Sequence, residues 1–218
     1  MVDPQQEIES YLEAAAGKRL AITHVIETHV QADHLSGARR LAERTGATIY
    51  LHELAGARFP HRPVKDGEEL TLGNVAMKVL HTPGHTPEGI SLLVTDRTRG
   101  PEPWFILTGD TLFSGGVGRP DLLGDGSEAR LAEQLYESLF GTLLALPDHL
   151  EVYPAHFSGS ACGKGLSGKP GSTVGFERRF NPALRLTGKD EFVRFALTDL
   201  PAQPEVFAVN RRRNLGRE

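Results

Sequence analysis

The chain has 218 residues, 39% hydrophobic and 24% charged, with a formal net charge of −4. Such a chain suits one globular domain with a sizeable core, or at most two small ones, and is too apolar to stay disordered. The charge gives no overall attraction to nucleic acid or an anionic membrane, and no apolar run approaches the roughly 18 residues that span a bilayer. The start, MVDPQQEIES, carries no signal-peptide pattern, and the single cysteine, Cys162, allows no intrachain disulfide, so a cytoplasmic protein is expected.

Ile8, Tyr11, Leu12 and Ala15 recur at helical spacing within residues 5–16, after Asp3-Pro4 as a start signal. LAITHVIETH (20–29) is rich in β-branched residues and predicts a buried strand. DHLSGARRLAERTG (33–46) predicts a helix with Leu35, Ala38, Leu41 and Ala42 on one face, stopped at Gly46, and TIYLH (48–52) a strand. DGEELTLGNVAMKVLHT (66–82) alternates about a Gly-Asn turn and predicts a hairpin, followed by strands at 89–96 and 104–110. Leu131, Leu135, Leu139 and Leu143 mark the strongest helix, 127–146, and with Trp104 they read as core. LEVYPAH (150–156) is a short strand entering a Gly/Ser-rich loop. A helix over 189–197 closes the domain, and the basic triplet 211–213 reads as a solvated tail. The order of elements predicts a layered α/β protein with a mixed sheet and with its polar clusters at strand ends.

Four such ends collect His and Asp: THVQADH (28–34), HTPGH (81–85), TGD (108–110) and PAH (154–156). One histidine is usually a packed or exposed side chain. Four strand ends, three with Gly or Pro beside the polar residue, point together to a metal site, because these residues let the backbone turn sharply and bring a ligand inward.

The order His29-x-Gln31-x-Asp33-His34, Gly84-His85, Gly109-Asp110 and His156 resembles the metallo-β-lactamase superfamily. That resemblance implies an α/β fold, an αββα sandwich of mixed sheets flanked by helices, as a single domain over residues 1–216. It implies a first metal on His29, His85 and Asp110 and a second on Asp33, His34 and His156, with Asp110 bridging. Gln31 departs from the pattern: two-metal hydrolases of the superfamily place a histidine there, and a neutral amide is a poor substitute for imidazole on zinc. The intact set, two histidines and one carboxylate, suits one non-haem Fe(II) per chain.

The persulfide dioxygenases, or sulfur dioxygenases, are the branch of the superfamily with such a site. ETHVQADHLSGARRLAERTGA, HTPGHTPEG, TGDTLFSGGVGRPDL, PAHFSGSACGKGLSGKPGSTVGFERRFNPAL and LPAQP resemble its members over nearly the whole chain. The resemblance implies oxidation of a small thiol persulfide, glutathione persulfide as a rule, by O₂ and water to the thiol and sulfite. Members of the branch begin earlier, so the first strands are expected to be missing. Many bacterial ones continue into a rhodanese domain; none is expected within these 218 residues, so a rhodanese could act as a partner, and a homodimer is also open.

Asp33 and His34 are then the candidates for holding ligands by hydrogen bonds or receiving substrate protons, with His156 as a supporting group or part of a weak second site. Arg119, Asp121 and Lys164 are candidates for the thiol carrier, since Arg suits bidentate binding of the glutathione carboxylates. Arg178 and Arg179 read better as structural or solvated charges, and Cys162 as an inert cysteine. Two other readings remain: a Zn(2+) hydrolase of the glyoxalase II type, cleaving a glutathione thioester through a metal-activated hydroxide, and a catalytically impaired relative.

Overall fold

The computed structural model describes residues 1–158 and 160–217. They fall into two compact units, Met1–Val64 with Pro204–Glu218 and Lys65–Gln203.

In the first unit the β-branched run before residue 29 gives a strand of only three residues, β1 (His24–Ile26). Its expected N-terminal end instead finishes helix α1 (Glu9–Gly17), where the Leu20 amide donates to the Ala15 carbonyl and the Leu20 side chain is exposed. At the other end, Asp3 replaces a strand partner: its Oδ1 accepts the Thr28 amide at 2.7 Å and its Oδ2 the Thr28 hydroxyl at 2.8 Å. Helix α2 spans Ala38–Thr45 and stops at Gly46, whose φ of 73° suits glycine. The expected helix from residue 33 starts later because Ser36 turns back, its Oγ accepting the Ala38 amide and donating to Glu27. Strands β2 (Thr48–His52) and β3 (Arg62–Val64) complete a parallel sheet in the order β1-β2-β3. Ile8, Val25, Leu41, Ile49, Leu51 and Leu215 belong to its core. The basic triplet 211–213 is no tail: it lies in helix α6 (Val206–Asn214), held down by buried Phe207, Asn210 and Leu215.

The second unit is built on a six-stranded sheet. The expected hairpin is β4 (Glu69–Leu72) and β5 (Val75–His81), turning at Gly73 with φ 59°. Then follow β6 (Ile90–Asp96) and β7 (Phe105–Gly109), and a small antiparallel sheet begins with β8 (Leu112–Phe113) and β9 (Gly116–Gly118). Helix α3 (Glu128–Tyr136) precedes β10 (Glu151–Pro154), β11 (Gly163–Lys164) and β12 (Ser172–Thr173), and the unit ends in α4 (Val174–Phe180) and α5 (Lys189–Leu197). The large sheet runs β12-β10-β7-β6-β5-β4, with β10 parallel to β7 and its other pairs antiparallel, which makes it mixed. β11 joins β9 to finish the small sheet. Trp104 is exposed, with the Arg99 guanidinium 3.9 Å over its ring, and so is not core.

The leucine helix changes pitch along its length. After α3 the chain continues as a π-turn, Glu137–Thr142, and a 3₁₀ turn, Leu143–Ala145. A strict repeat of four drifts around an α-helix, and the wider i→i+5 turn brings it back to one face. Leu131, Leu135, Leu139 and Leu143 are accordingly all buried, in a core with Ile106, Val152 and Phe192.

This helix seats the HTPGH segment. Ser138 Oγ donates to the Pro83 carbonyl at 2.7 Å, and a Cβ on Gly84 (φ 143°) would lie 2.4 Å from the Leu135 Cβ. Glycine is therefore required where the chain meets the helix just before His85. Gly84→Ala should cost about 2–4 kcal/mol through strain and overpacking. Urea or thermal melts measure this, and an unchanged midpoint would show that the approach to Leu135 does not constrain the loop.

Candidate metal centre

In the second unit His85 follows that glycine and Asp110 follows the last residue of β7. Both are buried, at 3% and 2% exposure. The His85 Nδ1 lies 2.9 Å from the Arg119 carbonyl oxygen. A carbonyl only accepts, so Nδ1 carries the hydrogen and Nε2 presents its lone pair. That Nε2 is 3.5 Å from Asp110 Oδ2, while Asp110 Oδ1 takes a 2.7 Å hydrogen bond from His156 Nδ1. A lone pair facing a carboxylate oxygen in a buried place requires a cation, a proton or a metal ion, between them. The donor set fits a metal on that ground. Asp110, His156 and the buried Cys162 also present ligand atoms within 4.8 Å of one another. The sequence reading, which left Cys162 as inert, did not foresee this neighbourhood. Gly118 makes room, since a Cβ there would meet the Asp110 carbonyl oxygen at 1.9 Å.

In the first unit a hydrogen-bond chain orients His29. Thr28 donates its hydroxyl hydrogen to Asp3, so its Oγ1 accepts from His29 Nδ1, 2.9 Å away, and His29 Nε2 becomes the lone-pair nitrogen. Asp33 Oδ1 and His34 Nδ1 pair at 2.9 Å, both half-buried. Gln31 is 1% exposed, and neither polar atom of its side chain has a hydrogen-bond partner among the described residues. A buried amide left so costs about 1–3 kcal/mol per group.

Sequence reading missed the groups that hold this loop. Asn214 Nδ2 donates to the Gln31 and His34 carbonyls, both at 2.9 Å, and its Oδ1 accepts the Ser36 amide. Asn210 Nδ2 donates to the Ala32 carbonyl at 2.9 Å. The available signal was two asparagines at i and i+4 flanking the basic triplet. Burial pushes the Glu27 carboxyl well above the ordinary glutamate range, aided by the Asp3 charge and opposed by the Ser36 hydroxyl.

Arg119 and Asp121, expected to grip the thiol carrier, are committed to one another. Arg119 Nε and Nη2 reach Asp121 Oδ1 and Oδ2 at 2.7 and 2.8 Å, and its remaining bonds go to the Ala161 and Pro201 carbonyls. Four of the five N–H donors of a guanidinium are thereby used inside the protein, so the pair is structural. Lys164, half-buried, donates to the Thr198 carbonyl at 3.2 Å and stands over the Phe195 ring. Arg178 pairs with Asp148 on the surface, as its structural reading anticipated.

Residues 2–156 match the model of the metallo-beta-lactamase superfamily, to which the chain belongs. A metallo-beta-lactamase structure from Staphylococcus aureus superposes with a TM-score of 0.91 at 36% identity, covering 98% of this chain and 64% of that one. ETHE1 from Myxococcus xanthus superposes with a TM-score of 0.83 at 32% identity, covering 98% and 86%. Among curated relatives, the bovine mitochondrial persulfide dioxygenase ETHE1 is 31% identical, over 80% of this chain and 61% of its own length. A hydroxyacylglutathione hydrolase from Brucella ovis is 36% identical, over 66% of this chain and 52% of its own length. The chain thus spans less than two thirds of the S. aureus, bovine and Brucella proteins. The fold is the metallo-β-lactamase fold, with mixed sheets flanked by helices.

Burial works to raise the Asp121 carboxyl, but the Arg119 hydrogen bonds and charge outweigh it and hold the group below the usual aspartate range. Its folded pKa being depressed, the pair stabilises fully above the unfolded value of about 3.9 and is lost as pH falls through the folded one. Asp121→Asn should therefore cost about 2 kcal/mol at neutral pH and progressively less below about pH 4. Denaturant melts across that range test it; a gap independent of pH would mean the ion pair contributes nothing.

Proposed function

We propose that this member of the metallo-β-lactamase superfamily is a persulfide dioxygenase, using one Fe(II) on His29, His85 and Asp110. The balanced reaction is RSSH + O₂ + H₂O → RSH + SO₃²⁻ + 2H⁺, with a small thiol of the glutathione type as carrier. The observation that carries the reading is Gln31. A buried amide stands where paired-zinc hydrolases need imidazole, while the order His29, His85, Asp110 stays whole. The likeness to two ETHE1 proteins supports the same branch.

When bound, Fe(II) supplies redox chemistry toward O₂ at coordination positions that a 2-His-1-carboxylate set leaves open. The chain's own residues prepare and serve that centre. The Arg119 carbonyl and the Thr28 hydroxyl fix His85 and His29 with Nε2 as the ligand atom. The His156 N–H on Asp110 Oδ1 orients the carboxylate so that Oδ2 faces His85. Asp110 offsets part of the dication's charge in a buried site. The Asp33–His34 pair takes the persulfide proton at the buried His34 Nε2, the nitrogen opposite the one held by Asp33. Lys164 is retained as a contact for a carboxylate of the thiol carrier, in place of Arg119 and Asp121.

The Brucella likeness favours a second reading, zinc hydrolysis of a glutathione thioester. Metal content and products separate them. Anaerobically prepared protein should hold about one iron per chain and, on adding glutathione persulfide, consume O₂ and release sulfite in equal amounts. Two zinc ions with thioester cleavage would replace the proposal with the hydrolase. His85→Ala should lower sulfite formation by at least about a hundredfold. Gln31→His should leave the dioxygenase rate within about threefold, because position 31 lies outside the proposed ligand set; a many-fold gain would mark Gln31 as a defect.

A further inference from the structure

Six arginines converge on one concavity of the first unit: Arg39 and Arg40 from α2, Arg58 from the β2–β3 connection, Arg212 and Arg213 from α6, and Arg217 just after it. The cavity has a volume of about 840 Å³, and the one acidic residue lining it is Glu43. Arg40 is offset by Glu7 and Glu9 outside the cavity, at 3.5 and 3.7 Å. Arg58, Arg212 and Arg213 make no ion pair among the described residues. In a chain of net charge −4, this is a local concentration of positive charge that ordinary surface balance does not explain.

The walls are held in place by hydrogen bonds. The Arg58 amide donates to the Leu215 carbonyl at 2.8 Å, Arg217 reaches the Gly56 carbonyl at 3.0 Å, and Arg39 reaches the Arg213 carbonyl at 3.2 Å. Like charges gathered around one concavity repel one another, and a bound anion relieves that repulsion. Guanidinium forks match phosphate and carboxylate oxygens bidentately. A volume within the usual range for small-ligand sites points to a small molecule, not a nucleic-acid backbone. No aromatic side chain lines the cavity on which a base could stack, so recognition falls to the charged groups themselves.

We propose that this arginine-lined cavity binds a diphosphate or triphosphate group, as free inorganic polyphosphate or as the phosphate end of a nucleotide. Calorimetric titration of the metal-loaded protein with inorganic pyrophosphate should show one site, tighter than for orthophosphate and weakened by added salt. Arg213→Ala should weaken it about tenfold and Arg58→Ala with Arg213→Ala about a hundredfold, with the circular dichroism spectrum unchanged because these side chains are exposed. His85→Ala should leave pyrophosphate affinity as it was, which separates this site from the proposed iron centre. ADP binding more tightly than pyrophosphate would assign the group to a nucleotide, and equal affinity to inorganic polyphosphate. No binding up to about 10 mM, an affinity the arginine substitutions do not change, or equal binding of glutathione through its carboxylates would overturn the proposal.

Discussion

A guanidinium taken out of water must have its charge and its N–H donors answered by protein oxygens, or the fold pays several kcal/mol. Arg119 meets that condition with one carboxylate and two backbone carbonyls, and the second unit is arranged around the result. Its own amide donates to the Cys162 carbonyl and its own carbonyl accepts from His85. The end of β9, the Gly/Ser-rich loop carrying Cys162 and the histidine after β5 are thus tied through one residue. The side chain is locked so that the backbone can orient an imidazole.

The same logic recurs in the first unit with different atoms. Thr28, pinned by Asp3, does for His29 what the Arg119 carbonyl does for His85. In each case an oxygen holds the Nδ1 hydrogen and so selects Nε2 as the nitrogen able to bind a metal. Gln31 breaks the series. It is as buried as its neighbours, yet its side-chain amide has no partner among the described residues, whereas its backbone carbonyl is gripped by Asn214. The loop is therefore held at this position through the backbone carbonyl and not through the side-chain amide.

Helix α6 carries much of this arrangement. The side-chain amides of Asn210 and Asn214 hold the carbonyls of residues 31, 32 and 34, and its exposed arginines help line the basic cavity. Its first four residues, Val206, Phe207, Ala208 and Val209, are apolar and the five after them polar, so no apolar stripe runs along it. Tertiary hydrogen bonds and a few apolar anchors, not an amphipathic stripe, hold it in place.

Periodicity and turn chemistry were enough to find the hairpin at residues 66–82, the strands after it and the leucine helix. Alternation, glycine at a positive φ and a repeat of four are local properties, written into neighbouring residues. The His and Asp clusters were legible for the same reason, each being a short string at a strand end. The sequence could not show where β1 stops, since Asp3 ends it from more than twenty residues away. Nor could it show that Arg119 is spent on Asp121, or that a basic triplet lies in a helix whose asparagines hold a loop 180 residues earlier. Those outcomes depend on which polar groups are buried together, and a buried donor or acceptor must find its partner wherever the fold brings one, at any distance along the chain.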